Sequence, residues 1–477
     1  MGSILAAWLH PALWLALPVL LLEGGVDGLW VALLVVVAPL VARAYPAEPL
    51  PERASLLAVA TLVVVVGLLL WANLVVVGDM AQWLGRPRWH GVALAAGGAF
   101  LLAVLPGAAR TAPVLGLVAL CAVGLSAVAL VRVPEADPLE AWRRVAARPA
   151  FRFAATSPWV TTGRELVRPA PGSDGIVFDE EHRITAASAG FIRIRSQDGS
   201  RLADREWEMS PGQSVTLRPG DRLEAGSALK LRFEAGRRVP GAPVSGAAWA
   251  RAGALEPTAG IGLALTLIGG AVALLRSPGR SSRVAGAVAG GGLLAALAWA
   301  EAWAIYGALA APEVFLGRGG VARLLDLPGL ALDPVVSELS VNLLLVGGAA
   351  SLLASTVALR VVAARLAAGG AAIGRDPGLW GSVLAVAGLA SLWPADAWAL
   401  VLMALGLGAS TVAPMLLGWP APRSGRGALG AGLVGLGLFL ALVVAGRLGA
   451  LGGPLAPLAA HPALLALPVA ALVRMRS

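Results

Sequence analysis

Apolar runs long enough to cross a lipid bilayer recur along most of this chain and stop only near its middle. Residues 56–77 and 284–310 each approach the roughly 20 apolar residues that span a bilayer. Five such segments precede the central region and seven follow it. They lie near residues 4–22, 28–44, 56–77, 91–107, 114–132, 259–275, 284–310, 340–362, 379–393, 397–417, 428–446 and 460–473. The pattern predicts an all-α polytopic membrane protein with about twelve transmembrane helices.

The central region, residues 134–256, has a different pattern. Phe191–Arg195 and Leu229–Phe233 alternate apolar and basic residues, which is typical of an antiparallel sheet with one buried face. The expected core residues are Trp207, Leu217, Leu223 and Phe233. We therefore expect a membrane segment over 1–133, a soluble β-rich domain over 134–256 and a second membrane segment over 257–477.

Composition agrees with a membrane protein. The chain is 58% hydrophobic and 14% charged, with a mean hydropathy of +0.78, whereas soluble proteins carry about 25% charged residues. Such a chain needs the lipid bilayer as solvent. Its net charge of +9 does not indicate a nucleic-acid partner, because arginine at helix ends is what membrane topology requires. Lys230 is the only lysine, a bias typical of GC-rich bacterial genomes, so we expect a bacterial cytoplasmic (inner) membrane.

Arginine placement predicts the orientation of the segments. With the N-terminus in the cytoplasm, thirteen arginines fall on the cytoplasmic side and five in the short outer loops. The outer number becomes ten when the five arginines that follow the fifth segment are included. Because positive residues are retained on the cytoplasmic side, we expect both termini there and the β domain outside the cytoplasm.

Several short motifs occur between residues 163 and 234. They are Gly163-Arg164, Ile176-Val177-Phe178 after Ser173-Asp174, and Leu217-Arg218-Pro219-Gly220-Asp221-Arg222-Leu223, followed by Gly226 and Leu229–Phe233. This set resembles a forkhead-associated (FHA) domain, which implies a β-sandwich. That family binds phosphothreonine with an Arg, a Ser-x-x-His and an Asn-Gly. Arg164 matches, but Ser188 is followed by Ala189-Gly190-Phe191 and the chain has no Asn-Gly, so the phosphopeptide ligand is not carried over.

One acidic residue lies within a predicted span. A carboxylate in lipid costs at least about 2.5 kcal/mol, so Glu301 should face protein or a water-filled cavity. Ser340 and Asn342 on the next span are the expected partners in a candidate intramembrane polar site. The alternative is that Glu301 is an interfacial residue beside the tryptophans of Trp299-Ala300-Glu301-Ala302-Trp303.

Two histidines and a tryptophan form a second candidate, a ligand site at the outer face. His90 and His461 open the fourth and twelfth segments, and Trp303 lies near the same level. Outward histidines beside a Trp-rich segment resemble cytochrome c assembly proteins, which hold haem, but the longer motif of that family, ending in Trp-Asp, is missing. Interfacial anchoring is the alternative. We predict no resident cofactor and no metal ligand set, with haem as the open alternative.

No residue set in the sequence forms a catalytic constellation, so we assign no catalytic residue. Three functions remain open. The first is a non-catalytic component of a membrane or envelope complex that docks another membrane or periplasmic protein through its β domain. The second is a secondary transporter or ion-coupled permease that uses Glu301. The third is a membrane-bound assembly factor or enzyme, such as a haem-handling protein.

Overall fold

Helices make up most of a computed structural model of the chain. The residues it describes are 7–44, 50, 52–104, 108–131, 137–153, 158–160, 176–198, 201–225, 229–251, 256–275, 283–316, 321–365, 376–393, 395–416 and 425–476. Before the β domain the helices are α1 (Pro11–Trp14), α2 (Ala16–Gly24), α3 (Val26–Ala44), α4 (Glu52–Trp83), α5 (Arg88–Val104), α6 (Ala108–Val131) and α7 (Pro138–Ala146).

A second set of helices follows the strands. They are α8 (Gly246–Ala250), α9 (Pro257–Leu275), α10 (Arg283–Ala310), α11 (Val321–Ala331), α12 (Pro334–Arg365), α13 (Pro377–Ala390), α14 (Ala397–Leu416), α15 (Gly425–Arg447), α16 (Ala456–Ala460) and α17 (Ala463–Arg476). Short 3-10 helices lie at Pro312–Leu316 and Gly453–Leu455. Each of the twelve predicted apolar segments overlaps one of these helices.

Six helices of the described chain are long and apolar enough to cross a membrane, or seven if the pair before and after His461, bent by 72°, counts as one span. They lie at Glu52–Trp83, Pro257–Leu275, Gly291–Ala310, Pro334–Arg360, Ala397–Leu416 and Gly427–Arg447. Four shorter apolar helices are Pro11–Gly24, Val26–Ala42, Val114–Ser126 and Pro377–Ala390. Twelve full spans are therefore not confirmed, because several of the predicted segments form helices shorter than a bilayer requires.

Eight antiparallel strands are present among the described residues of the central domain. They are β1 (Pro158–Val160), β2 (Ile176–Val177), β3 (His182–Ala186), β4 (Gly190–Asp198), β5 (Arg201–Met209), β6 (Ser214–Leu217), β7 (Arg222–Ala225) and β8 (Lys230–Phe233). They make two four-stranded sheets, in the orders β1-β8-β3-β6 and β2-β7-β4-β5. Gly163 and Arg164 of the FHA-like pattern lie outside the described residues.

The predicted alternation in this domain is confirmed. Leu217, Leu223, Leu231 and Phe233 are buried, whereas Arg232 is exposed. Trp207 is only partly buried, although it packs against the core, because β5 is an edge strand paired with β4 alone among the described strands. A short helix, α7, precedes the strands.

Candidate functional site

The structure does not bring the three residues of the predicted intramembrane site together. Glu301 lies on α10, is half-buried, and has no hydrogen-bond or ion-pair partner among the described residues. The Ser340 hydroxyl of α12 donates instead to the backbone carbonyl of Ser126 at 3.1 Å. Asn342 lies on the exposed side of α12. Ser340 thus forms a hydrogen bond that joins α12 to α6. Serine commonly makes such bonds between membrane helices.

The three residues of the predicted outer-face site lie on separate elements. His90, in the first turn of α5, stacks edge-on against the exposed Trp89 with ring centroids 3.9 Å apart. His461 occupies the break between α16 and α17, where its Cβ lies so close to Gly262 of α9 that a Cβ at that glycine would approach it to 2.7 Å. Trp303 is buried on α10, 6.2 Å from the ring of Trp299. The three side chains therefore pack against different neighbours.

A buried polar cluster that the sequence analysis did not select lies at a break in the first apolar segment. His10 precedes α1 in an extended conformation and is fully buried, as is Asn73 of α4. The Asn73 Oδ1 accepts a hydrogen bond from the backbone amide of Ala12 at 3.0 Å and lies 3.0 Å from the His10 Nδ1. Because Oδ1 is fixed as an acceptor by a backbone N–H, we assign the ring proton of His10 to Nδ1.

Helix α12 supplies the second half of this cluster. The Ser351 hydroxyl donates to the free carbonyl of Leu9 at 3.0 Å and accepts from the Trp14 Nε1 at 2.8 Å. Irregular backbone is tolerated at membrane depth only where protein satisfies its polar groups, and Asn73 and Ser351 do so here. Asn73 lies ten residues before the end of α4, or about 15 Å along the helix axis.

An aromatic row extends this cluster towards α10. The Trp14 ring lies 5.0 Å from that of Trp299, and the Trp299 Nε1 lies 3.4 Å from the Ser126 hydroxyl. All these groups are neutral hydrogen-bonding groups. Within the described ranges, no group of three or more His, Cys, Asp or Glu side chains could hold a metal ion. The cluster can fix helix positions and bind a polar group, but it holds no acid–base pair. The His-Pro pair inside an apolar run and the lone Asn73 were the signals that could have found it.

Arg148, Phe151 and Trp249 form a junction between the β domain and the helices. The Arg148 guanidinium donates to the carbonyls of Ala308, at 3.0 Å, and Leu309 at the end of α10. These are carbonyls that a helix C-terminus leaves unpaired, and a cation is favoured there. Burial lowers the pKa of Arg148 and the Glu313 carboxylate opposes that shift, so the guanidinium remains charged at neutral pH.

Two further contacts complete the junction. The Trp249 Nε1 donates to the carbonyl of Leu22 at 2.8 Å, and the Phe151 ring lies 5.1 Å from that of Phe315. Gly25 has φ of +51°, and a Cβ there would lie 1.8 Å from the Trp249 carbonyl oxygen, so only glycine fits. The junction fixes the β domain to the ends of α2 and α10.

No protein-family model matches the chain, and no curated protein or solved structure matches it either.

Proposed function

We propose that this chain is a multi-pass protein of the bacterial cytoplasmic membrane and a non-catalytic component of an envelope complex. About twelve apolar segments lie in the bilayer, both termini are cytoplasmic, and the β domain outside binds another membrane or periplasmic protein. The observation that carries the proposal is the junction. A docking domain holds its partner at a defined place on the membrane protein only if the domain itself is fixed to the helices. Arg148 and Trp249 fix the β domain at two helix ends.

The contacts around the junction support one part of the proposed topology, that these loops lie on the same side as the β domain. Glu23, in the last turn of α2, pairs with Arg323 of α11, and the Trp83 Nε1 at the end of α4 donates to Asp326 at 2.7 Å. These helix ends therefore lie with the β domain at one end of the helical part. They are the loops that the arginine distribution assigns to the outer side.

A β-sandwich similar to that of FHA domains is part of the proposal. Two four-stranded antiparallel sheets, both contributing buried side chains such as Ile184 and Ile192, support this fold. The partner surface is proposed to include Phe191, which is 50% exposed on β4. A large aromatic side chain half-exposed on a sheet is the residue type that anchors protein interfaces.

Photo-crosslinking in intact cells tests the docking function. A benzophenone amino acid at Phe191 should give one defined adduct with a membrane or periplasmic protein, identified by mass spectrometry. The same group at Val335, which is 80% exposed at the start of α12, is the control and should give only lipid adducts. Failure to form a protein adduct at Phe191, or the same protein adducts at both positions, would refute the proposed docking surface.

Reporter fusions test the orientation separately. A fusion at Gly199 should report an extracytoplasmic position and one after Ser477 a cytoplasmic position. A cytoplasmic Gly199 would overturn the topology.

A second function, an ion-coupled permease, is favoured by the broken first segment. Transporters place their sites at discontinuous helices near the middle of the membrane, and His10 and Asn73 lie at such a break. Glu301 then couples a proton or cation. The Glu301→Gln variant, described below, tests this alternative.

A further inference from the structure

His182 is buried in the core of the β domain, where no described residue forms a hydrogen bond with its side chain. It is the first residue of β3 and pairs with Leu217 of β6, and its side chain is 0% exposed. The imidazole lies edge-on to Phe178 and Phe153, at centroid distances of 5.1 Å and 6.1 Å. Neither ring nitrogen has a hydrogen-bond partner among the described residues.

An imidazole is an unfavourable choice for such a place. A neutral histidine has one donor and one acceptor, and a buried polar group left unpaired costs about 1–3 kcal/mol. Phenylalanine would fill the same space beside Phe153 and Phe178 without that cost. What histidine adds is the ability to take up a proton near physiological pH.

The charged groups around His182 define its response to pH. Burial lowers the pKa of His182 as the main effect, Glu180, Asp179 and Glu234 oppose this, and Arg237 adds to it. The neighbouring segments also carry the charged residues Arg152, Glu181, Arg183, Arg218, Asp221, Lys230, Arg232 and Arg238. Because the folded pKa lies below the ordinary value of about 6.5, the neutral form is stabilising above that pH and the stability is lost as the pH falls.

Glu180 connects this histidine to the chain that leaves the domain. Its Oε1 lies 3.7 Å from the His182 Nε2 and accepts a hydrogen bond from the backbone amide of Arg238 at 2.7 Å. The Arg238 guanidinium binds Asp179 and donates to the Ala242 carbonyl at 2.8 Å. The same carboxylate oxygen therefore accepts from the Arg238 amide and lies about 0.5 Å beyond hydrogen-bond distance from the imidazole nitrogen.

Residues 236–246, which we call the strap, lead from the β domain to α8 and the helices. The Val239 amide donates to the Phe151 carbonyl at 2.8 Å, and the Gly246 amide donates to the Arg148 carbonyl at 2.8 Å. Gly241 lies against the carbonyl of Phe315, where a Cβ would approach it to 3.2 Å. Arg238 thus lies on the segment that connects the β domain to the junction.

We propose that His182 is an acid-sensitive latch. A proton on Nε2 draws the Glu180 carboxylate away from the Arg238 amide, and the strap loosens from the β domain. The latch makes the attachment of the domain to the helices depend on the pH of its compartment. It does not depend on whether the β domain binds a partner.

Hydrogen–deuterium exchange of the full chain in lipid nanodiscs tests the latch. When the pH is lowered from about 7.5 to about 5, the exchange rate of the strap amides, corrected for intrinsic rates, should rise about tenfold or more. His182→Phe should remove this rise because its ring cannot be protonated. Glu180→Gln should also weaken the rise in exchange. The glutamine side-chain oxygen still accepts from the Arg238 backbone amide, but it has no negative charge to attract a protonated His182. Glu181→Gln is the matched control on the exposed neighbour and should respond like the wild type.

The outcomes are decisive in both directions. A strap that exchanges equally at both pH values in the wild type, or an acid response that persists in His182→Phe, overturns the proposal. If His182→Phe loses protection of β3 at neutral pH, it has failed to fold, and the two glutamine variants decide. Equal responses of Glu180→Gln and Glu181→Gln then refute the latch, and loss of the response in Glu180→Gln alone supports it.

Discussion

Replacing Arg148 by glutamine should release the β domain from the end of α10. The guanidinium makes two charge-assisted hydrogen bonds, to the carbonyls of Ala308 and Leu309, each worth about 1.5–3 kcal/mol. Because Arg148 is half-buried, solvent competes for part of this energy, and we expect a loss of about 2–4 kcal/mol. At about 1.4 kcal/mol per factor of ten, the junction should open roughly 30-fold to 1000-fold more often.

The assay is hydrogen–deuterium exchange of the segment around Gly246, whose amide donates to the Arg148 carbonyl at 2.8 Å. The backbone bond itself is unchanged by the substitution, so faster exchange reports opening of the junction. Arg152→Gln is the control, because Arg152 is exposed and, among the described residues, its side chain donates only to the carbonyl of Gly236. Its effect should be about 0.5 kcal/mol or less, roughly twofold. Equal protection in the Arg148 variant and the wild type would refute the assigned role of this arginine.

Three further variants test other parts of the structure. Phe233→Ala should destabilise the β domain by about 3–5 kcal/mol, since the Phe233 ring stacks on Phe153 at 4.5 Å. The urea concentration at which half of the β domain becomes sensitive to protease measures this loss, and an unchanged value would contradict the strand register. Asn73→Leu leaves a buried helix amide without its acceptor and should cost about 1–3 kcal/mol in thermal stability in detergent, whereas the exposed Asn342→Leu should cost much less. Glu301→Gln should abolish function at normal expression if Glu301 couples a proton or cation, and full activity would remove the main support for a permease.

Local patterns in the sequence predicted the helices and strands of this fold better than they predicted which side chains contact each other. Leu229, Leu231 and Phe233 are buried as the alternation required, because the two faces of a strand differ by a period of two that is visible in the sequence. The helix predicted over 56–77 extends over Glu52–Trp83, since a helix continues into water beyond its apolar part when nothing stops it. The hydropathy pattern therefore locates the apolar part of a helix but does not show where the helix begins and ends.

Tertiary partners could not be predicted in the same way. Ser340 was expected to pair with Glu301 and instead donates to the Ser126 carbonyl, because the partner depends on which helices pack together. Asn73 was not selected at all, although it is the acceptor that stabilises the break at His10. A polar residue in an apolar run indicates that some partner exists, but three-dimensional packing decides which one.

The break at His10 also constrains how the protein is assembled in the cell. The groups that satisfy Leu9 and Trp14 come from Ser351, 342 and 337 residues further along the chain. Until α12 has been synthesised, the Leu9 carbonyl lacks the Ser351 hydroxyl that donates to it. An unsatisfied backbone group inside hydrocarbon costs several kcal/mol. At about 5–20 residues per second, translation leaves a delay of roughly 20–70 seconds. The first segment should therefore wait at the membrane surface or against the insertion machinery and take its final place late in biogenesis.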